Sequence, residues 1–296
     1  MPDHLCNLII PGAAKSGTSS LHALLDKHPE ICMSKAKEPH YFSKYRNYKL
    51  GSEVHNALFR NGLTQQVRFY GESSTGYMPC PKAIERIHND LCDPRIIIIL
   101  RHPVERTFSH YRWRFRLGLE KRPLLQAVRE DGDGYDPDSP DKFGYMSYLE
   151  FSRYSFFCPL WLDSFGAERV KFVSFDTLKN DPASCMRDIF TFLGLPMIEL
   201  ASEMQVNSTN SLVRKQLKRN PLSYLMPKSL RRSRPFQFLK QRVRAWMTPV
   251  PPQTLRGDEF AYLEDALLPD IEWFESRVNS EINKSDTRRD EGAVHA

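Results

Sequence analysis

Four consecutive isoleucines, Ile96 to Ile99, followed by Leu100, constrain what this chain can fold into more than any other feature. A run that is apolar at every position has no polar face to offer water. It suits a strand of a parallel sheet that is covered on both sides. Shorter runs read the same way: Leu5 to Pro11, which ends in Gly12, then Phe69 to Glu72, and Val170 to Phe175. Between them the apolar residues fall at helical spacing. Leu21, Leu24, Leu25 and His28 mark a helix from Thr18 to His28, and Ile84, Ile87, His88 and Leu91 mark one from Pro81 to Leu91. Pro103 opens a helix with the stripe Val104, Phe108, Tyr111 and Phe115, proline being welcome at a first helical position. Tyr145 to Phe165 and Ser184 to Leu193 read as further helices. Strands alternating with helices predict an α/β fold, a central parallel sheet flanked by helices.

The 296 residues suffice for one domain with an ample core. We expect a single domain over 1–281 and a polar, disordered tail over 282–296. Residues 131–143 read as an acidic loop. The net charge of +6 is concentrated: from Gln205 to Gly257 there are twelve Lys/Arg and no Asp/Glu, which leaves the rest of the chain acidic. Pro221, Pro227, Pro235, Pro249, Pro251 and Pro252 divide that stretch, so 205–257 is expected to be a basic, mostly helical C-terminal segment in short pieces. Asp258 to Ser280 should close the chain as a helix kinked at Pro269. No stretch of about 18 apolar residues predicts a membrane-crossing helix. The six cysteines are scattered, without a C-x-x-C pair or a Cys/His cluster, so no metal is expected. With no basic-then-apolar leader, a reducing cytoplasm is the simplest expected location.

Two segments carry chemistry. Pro11-Gly-Ala-Ala-Lys15-Ser16-Gly17-Thr18-Ser19-Ser20 joins a strand to a helix. That junction aims backbone N–H groups and the positive end of the helix at an anion. Gly12 and Gly17 have the spacing of a Walker loop, but Thr18-Ser19 follows where Lys-Ser/Thr is expected, and the lysine sits inside the loop at position 15. The bland reading is a tight turn needing two glycines. Further on, Arg101-His-Pro103-Val-Glu-Arg106-Thr-Phe-Ser109-His-Tyr111 follows the isoleucine strand. A metal-using nucleotide hydrolase wants a carboxylate at such a strand tip, and here the tip is a cation. Arg101 can grip a phosphate with two parallel hydrogen bonds and Ser109 can add one. Alternatively Arg101 is a salt bridge at the sheet edge, and Arg106 is the partner of Glu105 or another surface acid.

Taken together, KSGTSS and RHPVERTFSHY resemble the 5′-phosphosulfate loop and the 3′-phosphate motif (R-x-P-x-x-R-x-x-S-x-Y) of sulfotransferases that use 3′-phosphoadenosine 5′-phosphosulfate (PAPS). Trp161 to Pro196 resembles a third stretch of that family, with Asp176 where Glu is commoner. Lys37-Glu38-Pro39-His40-Tyr41-Phe42 resembles the E-x-H-F-F segment of its heparan sulfate and related carbohydrate branch. There is one departure: those relatives follow the next strand with Glu-Lys-(Thr/Ser)-x-x-Tyr, whereas Glu72-Ser73-Ser74-Thr75-Gly76-Tyr77 puts Ser73 in the lysine's place. A cation there is absent or supplied from elsewhere.

The resemblance implies a P-loop-like fold and sulfuryl transfer from PAPS, without a metal, to a hydroxyl or amine of a carbohydrate, glycolipid or small-molecule acceptor. It implies that Lys15 stabilises the leaving oxygen, with Ser16, Gly17, Thr18, Ser19 and Ser20 around the 5′-phosphate and Arg101 and Ser109 on the 3′-phosphate. Glu38 would be the general base; His40 is an alternative base or an orienting group. Tyr41 and Phe42 read as core. Asn207 and Arg214 are candidates for a loop closing over PAPS, as a lid within 205–257. The basic region 211–247 could contact an anionic membrane or polysaccharide peripherally, or be a solvated helical face. Nucleic-acid binding has only the charge in its favour and is not expected. Two competing classes are a metal-using P-loop kinase or hydrolase and a non-catalytic binding protein acting through the basic segment.

Overall fold

A computed structural model describes residues 4–62, 64–130, 147–198, 252 and 254–277. Its centre is a five-stranded, all-parallel sheet: β1 (Leu8–Ile10), β2 (Ile31–Met33), β3 (Phe69–Ser73), β4 (Arg95–Leu100) and β5 (Val170–Ser174), in the order β2-β3-β1-β4-β5. The isoleucine run behaves as its composition demands. Ile96, Ile98 and Leu100 point into one core, with Phe157, Trp161 and Phe165. Ile97 and Ile99 point into the other, with Leu21, Leu25, Ile189 and Phe190. Every one of the five is fully buried, and each contributes roughly 1.5–3 kcal/mol on removal from water.

Helices cover both faces. Helix α1 (Thr18–Leu25) follows the β1 loop. Short helices α2 (Tyr45–Tyr48) and α3 (Ser52–Asn56) and a 3-10 turn (Ala57–Gly62) lie between β2 and β3. Helix α4 (Pro81–Asp90) and helix α5 (Pro103–Arg116) both start with proline, as expected. Then come α6 (Leu124–Arg129), a 3-10 turn (Glu150–Ser152), α7 (Tyr154–Phe165), α8 (Phe175–Asn180) and α9 (Pro182–Leu193). Helix α9 shows why these boundaries fall where they do. The Asp181 carboxylate accepts from the Ser184 amide at 3.0 Å, Pro182 occupies the first turn, and Gly194 ends the helix at φ 63°.

Two expectations change. The helix read over Tyr145–Phe165 begins only at Tyr154, after a 3-10 turn; 145 and 146 lie outside the described residues. The C-terminal helix is two pieces, α10 (Gly257–Ala266) and α11 (268–277), parted at Leu267. The break thus precedes Pro269, which sits in the first turn of the second piece, where its missing N–H is harmless. These helices close a third core with Val104, Phe108 and Tyr111 of α5 through Leu263, Leu267 and Ile271. The buried Asp270 carboxylate ties them to α7, accepting from the Ser155 amide at 2.9 Å and hydroxyl at 2.6 Å. Among the described residues no helix is long and apolar enough to cross a membrane. The acidic loop 131–143, the basic segment up to residue 251 and the tail from 282 lie outside the described residues, and so do Asn207 and Arg214.

Candidate active site

All parallel strands deliver their following loops to one edge of the sheet, so the loops after β1, β3, β4 and β5 converge. The first of them is held by the sheet itself. Ala13 N–H donates to the Ile99 carbonyl at 2.7 Å and Ile99 N–H to the Gly12 carbonyl at 3.0 Å. The loop then turns through left-handed conformations at Lys15 (φ 71°) and Gly17 (φ 90°). Gly17 has two reasons to be glycine: its φ, and Phe175, whose ring carbon would lie 2.8 Å from any Cβ placed there. Helix α1 begins without a side-chain cap, so its leading amides are left for an anion. Ser16 is fully buried, and Thr18 and Ser20 nearly so. The Ser16 amide donates to the Ala13 carbonyl at 3.2 Å, so Ser16 shapes the loop from within and does not line its opening.

Lys15 is partly buried, with its ammonium 5.3 Å from the centre of the Trp113 ring. Burial, then the positive charges of Arg101, Arg106, Lys37 and Arg116, lower its pKa to about 8. Four cations from three segments thus press on one amine. Arg112 feels the same crowding: desolvation, Arg116 and Arg101 all lower its pKa. Ser109, Arg112 and Arg116 share one face of α5, following Glu105 at helical spacing. Sequence reasoning identified Arg101 and Ser109 but missed Arg112, Trp113 and Arg116; their helical phase relative to Ser109 was the available signal.

Arg101 donates to Glu105 through Nε at 3.0 Å and Nη2 at 2.9 Å, and its guanidinium lies 4.9 Å from the Phe175 ring centre. Glu105 is thus paired with Arg101, and the pairing expected for Arg106 is corrected. Arg106 is fully buried and holds the Tyr148–Ser152 segment, donating to the Ser152 hydroxyl at 2.6 Å and to the Tyr148 carbonyl. It is a structural arginine that adds field to the site.

The loop after β2 brings the second half. Glu38 (φ 59°) and His40 (φ 51°) both stand in the left-handed region, which side chains other than Gly and Asn rarely adopt. The Glu38 carboxylate accepts from Lys37 Nζ at 2.6 Å and from the Thr75 amide at 2.8 Å. The Thr75 hydroxyl lies 3.2 Å from both carboxylate oxygens, and His40 Nε2 is 3.5 Å away. Beneath, the fully buried Glu72 accepts from Ser74 at 3.0 Å and Tyr77 at 2.8 Å and lies 3.1 Å from His55 Nε2. Ser74 and Tyr77 in turn accept from the amides of His40 (3.0 Å) and Phe42 (3.1 Å). A carboxylate on the sheet thereby fixes the backbone of the Glu38–Phe42 loop through two hydroxyls. Tyr41 and Phe42 are buried core, as read from the sequence.

Two points went unforeseen. Ser73, in the place of the expected lysine, lies 2.9 Å from His22 Nδ1, and burial followed by the charge of Lys37 lowers the pKa of that histidine. The cation of this corner is Lys37, whose charge reaches Lys15 and His22 alike. The fold also gathers a cluster that the scattered cysteines did not suggest: ligand atoms of Cys6, His55 and Glu72 lie within 4.8 Å of one another. Burial and Glu72 hold the Cys6 thiol well above its ordinary pKa, and Glu72 is engaged by Ser74, Tyr77 and His55. The trio is a hydrogen-bonded core network.

The cation-lined loop after β1 and the held carboxylate of Glu38 are the two features that the sequence motifs led us to seek. The family model for the sulfotransferase domain matches residues 6–256. The chain belongs to the sulfotransferase family. This sulfotransferase is 28% identical over 201 residues to mouse heparan sulfate glucosamine 3-O-sulfotransferase 6, covering 68% of this chain and 56% of that protein. It is 34% identical over 136 residues to the membrane-associated sulfotransferase kil1 of Dictyostelium discoideum, covering 44% of this chain and 28% of that one. It thus spans little more than half the length of the heparan sulfate relative. Among solved structures, a sulfotransferase from Alicyclobacillus acidocaldarius matches with a TM-score of 0.59 and 28% identity, over 72% of this chain and 89% of that one.

Proposed function

We propose that this chain moves the sulfuryl group of PAPS to a hydroxyl or amine of an acceptor, a carbohydrate being the class that its heparan sulfate relatives' names favour and a glycolipid the alternative. The observation that carries the reading is the crowding of Lys15. A lysine whose pKa burial, and then four neighbouring cations, press down to about 8 stands in a pocket short of negative charge. A donor with phosphate at both its 3′ and 5′ positions supplies that charge. The residues fit it: Lys15, the amides around Gly17, and Thr18 and Ser19 on the 5′ side; Arg101 and Ser109, with Arg112 and Arg116 nearby, on the 3′ side.

The donor supplies an activated sulfur–oxygen bond. The chain's part is to hold it, to neutralise charge and to move one proton. The acceptor oxygen or nitrogen attacks sulfur in line with the bond to the 5′-phosphate oxygen; that bond breaks, and its electrons leave with the phosphate. Lys15 offsets the charge building on the leaving oxygen, an effect worth roughly 10²–10³ in rate for one well-placed donor. Glu38 takes the acceptor proton. His40, packed behind it, orients Glu38 or shares the proton.

Calorimetric titration with desulfated donor (PAP) in EDTA tests the donor site. We expect micromolar binding that weakens at least about tenfold in Lys15→Ala and in Arg101→Ala. A folded wild type that ignores PAP would sink the reading. Transfer of labelled sulfate from PAPS to heparan-derived oligosaccharides and to glycolipids then selects the acceptor.

A further inference from the structure

We infer that Thr75 is the positioning residue of the base: it holds the Glu38 carboxylate in one plane and one place, aimed at the acceptor. The inference rests on the reading of Glu38 as base, and goes beyond it by naming what makes Glu38 one.

The geometry is specific. Thr75 gives Glu38 two donors from one residue, its amide at 2.8 Å to Oε2 and its hydroxyl at 3.2 Å to both oxygens. Two donors from one residue fix the plane of the carboxylate as well as its place, which a single flexible ammonium does not. Thr75 is itself immobilised. It is buried, in the turn after β3, between Ser74, which is bonded to the sheet carboxylate Glu72, and Gly76, where a Cβ would come within 3.2 Å of the His40 ring. The loop that carries Glu38 is anchored to the same turn by the Glu38 amide, donating to the Ser73 carbonyl at 2.9 Å, and the His40 amide, donating to Ser74. Base and holder are 37 residues apart in the chain and locked together in the fold.

The charged and titratable groups that face Glu38 are Lys37 and His40 on its own loop and His22 from α1. Lys37 is a long side chain that reaches one carboxylate oxygen through a single ammonium. Thr75 is a short side chain in a buried turn and reaches both oxygens.

The test is Thr75→Val, which keeps shape and amide but removes the hydroxyl, with Thr75→Ser as the conservative rescue. The chain is labelled with [13C]glutamate, and Glu38→Gln assigns the Glu38 carboxyl signal. We expect the Glu38 carboxyl signal, read at one fixed pH, to move and broaden in Thr75→Val as the carboxylate loses its fixed plane, and to return in Thr75→Ser. In transfer assays with PAPS and a heparan-derived oligosaccharide, kcat should fall about tenfold and recover in Thr75→Ser, while PAP affinity stays within about twofold. Melting temperature and PAP affinity report folding; if Val fails there, Thr75→Ala is read by the same signals. An unmoved carboxyl signal with unmoved kcat overturns the role of Thr75 while leaving Glu38 as base. Transfer that survives in Glu38→Gln overturns both.

Discussion

The two halves of the site solve opposite electrostatic problems. Around Lys15, cations crowd together: burial, then Arg101, Arg106, Lys37 and Arg116, depress the lysine, and burial with Arg116 and Arg101 depresses Arg112 beside it. Around Glu38 and Glu72, each acid has partners already in place: Lys37 and Thr75 for one, Ser74, Tyr77 and His55 for the other. In the proposed function the first half is completed by a polyanionic donor, whereas the second already holds its hydrogen bonds. Charge repulsion is tolerated where a ligand will relieve it, and satisfied polar bonds are used where geometry must be held.

Lys15→Met should separate the halves most sharply. Transfer should fall roughly 10²–10³-fold, because the charge on the leaving oxygen loses its partner. Stability should rise. The folded lysine titrates near 8 against an ordinary 10.5, so at pH 7 the fold carries a penalty of up to about 3 kcal/mol, less what solvent screens at this partly exposed amine. Between pH 8 and 10.5 the unfolded chain binds the extra proton, so wild-type stability should climb with pH there, and that climb should be missing in Lys15→Met; thermal melts across that range check both. Glu72→Ala should act in the opposite direction. It leaves His55, Ser74 and Tyr77 buried without their acceptor, and we expect a loss of about 3 kcal/mol or more in urea melts. PAP affinity should decline above pH 8, where Lys15 gives up its charge, in a titration series from pH 6.5 to 9.5; in Lys15→Met that decline should vanish. The smallest effect belongs to Glu105→Gln. It removes the acid that engages Arg101, and PAP should bind a few-fold tighter, by no more than about 1 kcal/mol. Weaker binding would show that Glu105 orients Arg101.

The cationic half of the candidate site was legible in the sequence because its residues are neighbours in the chain. Lys15 to Ser20 and Arg101 to Ser109 are each one loop and one helix turn, and the strands before them announce themselves by composition. The strand Ile31–Met33 was not legible: three residues cannot show a period. The acceptor half was legible in its types but not in its bonds. Glu38 stood out as a motif residue, whereas its tie to Thr75 spans 37 residues and depends on two left-handed residues, Glu38 and His40, that the sequence does not mark. Arg106 misled for a related reason. Nothing local says that an arginine one residue after Glu105 turns inward to the 148–152 segment, while the arginine four residues before Glu105 takes the acid.

Phe175 touches both anion sites at once: its ring stops any side chain at position 17 and lies under the Arg101 guanidinium. It stands at the tip of β5, outside either motif. The Lys15 loop and the Arg101 tip are therefore one mechanical unit: a change at Phe175 shifts both together. A substitution there that trims the ring loosens the turn at Gly17 and the seat of the guanidinium in one stroke, whereas the Glu38 carboxylate is held separately, from the turn after β3.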